Sequence, residues 1–474
     1  MKFASTRGGV RGLTFEDALY SGYAADGGIL LPESIPQISL DTLQSWAGLS
    51  YVQLVKKVIP HFVGEEIPSE DLNDLVDKAF SRFSHPDIIP IKKFPGGLNV
   101  MEMCHGITWA FKDLALSCLG QFLDYFLNKR KKHLTILTAT SGDTGSAAIE
   151  SVRGMTWVDI IVLLPRGRTS RVQELQMTTV MEDNVHVYRA DGTSDDADVP
   201  IKECFADAAF AKRHNLCSIN SINFARIMVQ VAHYFYAYLQ MCPACDSEVE
   251  IAIPTGGCGN VTSGCLARKM GLPVKLVCCV TTNDIVDRAI VKGDYSIGEM
   301  KQSLAPAMDI QMAYNMERIW HMFSDGDVEM VSSMMTEFEK TMMTKVPENL
   351  RAKIGEVVSS HVVEDEGIKK SMRKCWEENS YLVCPHSATT LDYHYSRQGS
   401  SDDTLRVCLA SASPIKFEEA VVAAGLRYDK TDAVVKLYNS PTRYQDVEKD
   451  EDWVDILRKK IEDIEKRFQA RNLA

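Results

Sequence analysis

The side chain best suited to chemistry in this sequence is Lys112, within Thr108-Trp109-Ala110-Phe111-Lys112-Asp113-Leu114-Ala115-Leu116. Thr108 reads as the N-cap of a helix whose apolar stripe is Trp109, Leu116, Leu119, Phe122, Leu123, Tyr125 and Phe126. The lysine then sits in the first turn among apolar neighbours. The positive end of a helix and an apolar setting both disfavour an ammonium and push the lysine toward a neutral amine. A neutral lysine can form a Schiff base with an aldehyde or shuttle protons. On spacing alone, a surface lysine on an amphipathic helix is the commoner occurrence.

Two glycine-rich turns follow predicted strands, where open α/β sheets bind ligands. In Thr140-Ser141-Gly142-Asp143-Thr144-Gly145-Ser146, backbone N–H groups and the Ser141 and Thr144 hydroxyls make a cradle for a carboxylate or phosphate. In Pro254-Thr255-Gly256-Gly257-Cys258-Gly259-Asn260, the glycines let backbone approach a phosphate, and the following helix adds its dipole. Neither turn has the nucleoside-triphosphate or dinucleotide pattern, which ranks nucleotide binding last. Taken singly, each is more often a plain strand-to-helix turn. With an activated lysine, the pair points to a phosphorylated aldehyde cofactor. Ser411, in Ser411-Ala412-Ser413-Pro414, is a candidate contact for a heterocycle nitrogen or simply a turn that stops a strand.

The elements that must position these residues alternate. From about residue 98, predicted strands at 98–103, 134–140, 158–164, 185–189, 249–253, 274–280 and 405–410 are interleaved with helices, which predicts parallel sheets covered on both faces, in two lobes beside a helical N-terminal region. Residues 295–375 are rich in Met and charge and read as helices and loops, their methionines filling core or forming a contact surface. The stripe Trp453, Ile456, Leu457, Ile461, Ile464 and Phe468 predicts a helix docked on the body or on a partner.

The 474 residues are 45% hydrophobic and 24% charged, with net charge −12. That balance argues against a nucleic-acid partner. No run of about 18 apolar residues predicts a membrane span, and the N-terminus lacks a secretory core. Thirteen cysteines fit reduced thiols in the cytoplasm; Cys242 and Cys245 are a lone pair, and no metal site is expected.

The run His105-Gly106-Ile107-Thr108 to Asp113, Thr138 to Gly145, Asn220-Ser221-Ile222-Asn223 with Arg226, and the Pro254 to Asn260 loop together resemble the threonine synthase family, in particular its animal phospho-lyase branch. The likeness runs from about residue 14 to 425. It implies the pyridoxal-phosphate-dependent fold type II, similar to the tryptophan synthase β chain. It further implies Lys112 as the Schiff-base lysine, Gly256, Gly257, Cys258, Gly259 and Asn260 at the cofactor phosphate, and Ser411 at the pyridine nitrogen. Thr140, Ser141, Gly142, Asp143 and Thr144 would face substrate, with Arg226 and Arg166 as candidates for its phosphate. The expected division is an N-terminal accessory domain (1–97), a larger cofactor lobe (98–133 and 225–425, with a helical insertion at 295–375), a smaller substrate-side lobe (134–224) and a C-terminal helical extension (426–474). Two departures stand out. Gly257-Cys258 replaces the family's usual Asn-Phe, and Ser413 replaces its histidine. The expected activity is elimination of phosphate from O-phosphohomoserine or O-phosphothreonine, by a monomer or homodimer. The alternatives are threonine synthesis from O-phosphohomoserine and a catalytically silent relative acting as a secreted or interaction protein.

Overall fold

A computed structural model describes residues 1–398 and 404–473. Its larger sheet runs in the order Val358–Val362, Val274–Val280, Val249–Pro254, Leu405–Ala410, Asn99–Glu102, Ile91–Lys93. All pairings are parallel except the last. The smaller sheet, parallel throughout, runs Gln445–Val447, Val185–Ala190, Val158–Pro165, Leu134–Ala139, Leu216–Cys217. Continuous apolar runs such as Val274–Val280 suit strands buried on both faces.

The sheet order brings distant chain segments together. Leu405–Ala410 lies between Asn99–Glu102 and Val249–Pro254, with Leu405 opposite Val249 and Cys408 opposite Val100. The segment leading to Lys112 and the second glycine turn therefore leave the same sheet edge two strand spacings apart, roughly 10 Å.

The structure differs from the sequence expectation in three places. The first 80 residues have no core of their own: Phe3 and Phe62 pack on Phe224, and Phe15 on Phe122, within the main cluster. The C-terminal segment is more than a helical extension. Gln445–Val447 adds a strand to the smaller sheet, and helix Trp453–Leu473 sends Leu457, Ile461 and Ile464 into that sheet's core. Within 295–375, Val358–Val362 forms an edge of the larger sheet, and Met343–Lys345 pairs with Asp294–Ser296. These strands are short and polar, so they carry no period-2 signal. Met308, Met316 and Met322 are buried and fill core.

Candidate active site

The cleft lies between the two sheets and is lined by both glycine turns, Lys112, Arg226, His386 and Ser411. Lys112 opens the helix Lys112–Arg130; Thr108 is not its N-cap. Tertiary bonds keep residues 108–111 out of the helix. Phe111 N donates to Ser411 O (2.7 Å), Ser413 N to Trp109 O (2.9 Å), and the Thr108 carbonyl accepts from Lys416 Nζ (2.8 Å) and Gln176 Nε2 (3.2 Å). Trp109 is held at φ 59°, a left-handed conformation costly for a bulky side chain.

Lys112 Nζ lies 3.6 Å from Asp143 Oδ2, and Asp143 Oδ1 accepts from Lys416 Nζ at 2.7 Å. Lys416 is wholly buried. Burial holds the Lys112 amine below its ordinary value; Asp143 pulls it up, and Arg226 and Lys416 push it down again. Burial alone would raise the Asp143 carboxyl, but Lys416, Lys112 and Gln173 Nε2 (2.9 Å) hold it well below the carboxylate range. One carboxylate thus faces two lysines. Gly142, at φ 140°, starts this turn, and a Cβ there would come within 2.5 Å of Gln173 Nε2. The Thr140 hydroxyl accepts from Gly142 N (3.0 Å) and Gly145 N (2.9 Å), so Thr140 shapes the loop. Ser141 Oγ donates to Ala307 O (3.3 Å) across the cleft, and Thr144 lines it.

The second turn opens helix Gly259–Lys269, and Cys258 caps it at φ 59°. Among the described residues, the N–H groups of Gly256, Gly257, Cys258, Gly259 and Asn260 have no acceptor. The Cys258 thiol turns inward onto Met316 Sδ (3.7 Å), and the Asn260 side chain is bound to Tyr234 Oη (2.8 Å) and Gln230 Oε1 (2.8 Å). Only their main chain can serve an anion. A Cβ on Gly256 would lie 3.2 Å from Met308 Cα, so the main chain of 306–310 closes over this cradle. Backbone donors without acceptors at a helix start fit a phosphate, and a buried amine in the same cleft fits an aldehyde on the same molecule. The Ser411 hydroxyl lines the cleft, while Ser411 N donates to Ser387 Oγ (3.1 Å).

Arg226 is buried, donates through Nη1 to Ile219 O (3.2 Å), and leaves Nε without a partner. Burial lowers its guanidinium to about 10. A buried guanidinium lacking a carboxylate partner among the described residues has the chemistry to take an anion. Arg166 is not part of the cleft: it makes a bidentate pair with Glu448 (2.7 and 2.8 Å), a residue supplied by the C-terminal segment.

Sequence reasoning missed Lys416 and His386. His386 Nε2 accepts from Ala307 N (3.1 Å), and burial holds the ring at about 3, against the pull of Asp143, so it is neutral. The only local signal for Lys416 is a lysine set between apolar neighbours in Pro414-Ile415-Lys416-Phe417.

Asp195 and Asp198 occupy the cleft wall on helix Ser194–Ala206. Burial, then Asp195, raises the Asp198 carboxyl to about 8 against Lys202, from 3.8. A raised folded pKa gives stability that is full below about pH 4 and lost as pH rises through 8. Asp198→Asn is expected to match wild type near pH 4 and to be more stable at pH 8, by up to about 5 kcal/mol, read by urea unfolding at both pH values.

A family model described as pyridoxal-phosphate dependent enzyme matches residues 96–410. The protein is an enzyme of that class, with pyridoxal 5′-phosphate as cofactor and the two-lobed parallel architecture of fold type II. Models described as the threonine synthase N terminus and C-terminal region match residues 2–80 and 388–457. Threonine synthase-like 2 of Xenopus laevis is 52% identical over 469 residues, covering 98% of this chain and 99% of that protein. The Homo sapiens protein of that name is 48% identical over 480 residues, covering 100% and 99%. Among solved structures, PLP-bound threonine synthase from Brucella melitensis superposes with TM-score 0.88 at 34% identity, covering 97% of this chain and 98% of that one. Threonine synthase from yeast gives 0.89 at 32%, covering 99% of each. The chain belongs to the threonine synthase family.

Proposed function

We propose that the protein is a phospho-lyase that eliminates phosphate from O-phosphohomoserine, by γ-elimination, or from O-phosphothreonine, by β-elimination, and that one water hydrolyses the resulting enamine, giving 2-oxobutanoate, ammonia and phosphate. Bound pyridoxal phosphate supplies an aldehyde for the substrate amine and a ring that accepts the electron pair left at the α-carbon. Lys112 Nζ, whose burial favours the neutral amine, takes the α-proton. Lys416 shares the Asp143 charge, which weakens the carboxylate's pull on the Lys112 proton. The N–H groups of 256–260 seat the cofactor phosphate, and Arg226 receives the substrate phosphate. Ser411 offers the ring nitrogen a hydroxyl and no carboxylate, which leaves that nitrogen largely unprotonated and favours elimination over transamination.

The observation that carries the lyase reading is Gly257. Where the family usually places asparagine, a Cβ here would meet only Ile310 Cδ1, at 3.9 Å. A side chain at 257 would have room, and this chain has none there to direct water onto the β-carbon. Ser413, in place of the family histidine, uses its hydroxyl on Ile415 N (3.4 Å). Purified holoenzyme given O-phosphohomoserine is expected to yield 2-oxobutanoate as main product; threonine as main product overturns the reading. Gly257→Asn is expected to raise the threonine share of product several-fold.

Among the described residues no helix is long and apolar enough to cross a membrane. The thirteen unpaired cysteines suit a reducing cytoplasm, where the enzyme works as a monomer or homodimer.

A further inference from the structure

Away from the cleft, the N-terminal segment and the smaller lobe line a second, open cavity of about 440 Å³. Phe205, Leu134 and Leu216 give it an apolar wall. Its polar lining is one-sided: Lys132, Lys202 and Lys212 contribute, and no aspartate or glutamate does, on a chain of net charge −12. Among the described residues neither Lys132 nor Lys212 pairs with a carboxylate; Lys202 is paired with Glu339 at 3.0 Å. Lys132 Nζ stands 5.7 Å from the Tyr20 ring centroid. Like charges gathered in a concave, partly apolar space focus a positive potential that attracts an anion.

The cavity also shares a wall with the cleft. Tyr23 lines both, and its ring packs edge-on against Tyr314, another cleft residue, with centroids 6.0 Å apart. Lys202 follows Asp198 by one turn on helix Ser194–Ala206, so the two residues look into the two spaces from one rigid element.

We propose that this cavity is an effector site for a small organic anion, one phosphate or carboxylate on an apolar or aromatic body, coupled to the cleft through Tyr23 and the Asp198–Lys202 turn. The anion meets Lys132 and Lys212 at the rim, and the apolar body enters against Phe205. The site does not rest on the lyase reading, because product identity plays no part in binding.

Titration calorimetry of the holoenzyme with phenyl phosphate tests it. Wild type is expected to bind with saturation, and inorganic phosphate, which lacks the apolar body, at least tenfold more weakly. The double variant Lys132→Glu/Lys212→Glu, altering two exposed side chains, is expected to lose at least tenfold in affinity with Tm and cofactor absorption unchanged. Lys132→Arg/Lys212→Arg is expected to retain binding. Equal affinity in wild type and the charge-reversed variant, or no binding to wild type, overturns the site. Phenyl phosphate is expected to shift substrate KM in wild type and not in the charge-reversed variant; an equal shift in both, or none in wild type, overturns the coupling.

Discussion

Lys112→Ala is expected to lower kcat for phosphate release by at least about 10³-fold, because it removes the proton carrier and the amine that binds the cofactor aldehyde. The visible absorption of the bound cofactor should be lost or shifted in the same preparation. The fold should survive. Asp143 keeps its shorter contact, 2.7 Å to Lys416, when the 3.6 Å contact to Lys112 is gone. Lys112→Arg separates charge from chemistry: it retains a cation beside Asp143 but cannot release a proton at neutral pH. Phosphate release within tenfold of wild type in either variant would remove Lys112 from the reaction.

Lys416→Met should have the second-largest effect, and on stability as well as turnover. It strips a fully buried carboxylate of its nearer partner and leaves the Thr108 carbonyl with only Gln176. Breaking one side of a buried ion pair costs about 3–5 kcal/mol. Lys112 then becomes the sole ammonium beside Asp143, and both changes raise its pKa: a repelling cation is lost, and the carboxylate's pull is no longer shared. The pH profile of kcat should move to higher pH by as much as the Lys112 pKa rises. The sign of the stability change follows from Asp143. Its folded pKa is depressed below 3.8, so it contributes stability above that value that is lost as pH falls below it. The variant should show a smaller drop on acidification than wild type. Adding Asp143→Asn to Lys416→Met should recover most of the stability in urea unfolding without restoring turnover. A variant as stable as wild type with an unmoved pH profile would show Lys416 to be packing alone.

Much of this molecule can be read along the chain. The alternation of apolar runs and helical stripes from residue 98 marks parallel sheets because side-chain period is a local property. The two glycine turns announce themselves because turn chemistry depends on a few adjacent residues. The same locality explains the errors. Thr108 looks like an N-cap because its own sequence suits one, yet bonds from Lys416, Gln176 and the 411–413 turn hold it outside the helix. Arg166 looks available until the Gln445–Val447 strand brings Glu448 beside it.

Residue types and their near neighbours already specify a lysine able to lose its proton, a glycine cradle for a phosphate and the kind of sheet that carries both. Which charges surround that lysine is another matter. Lys416 and Arg226 reach Lys112 because Leu405–Ala410 inserts between two strands far from it in sequence and because the smaller sheet docks opposite. Strand order and docking are settled by burial of non-local surfaces, and a buried amine's proton affinity depends on every charge those surfaces bring near.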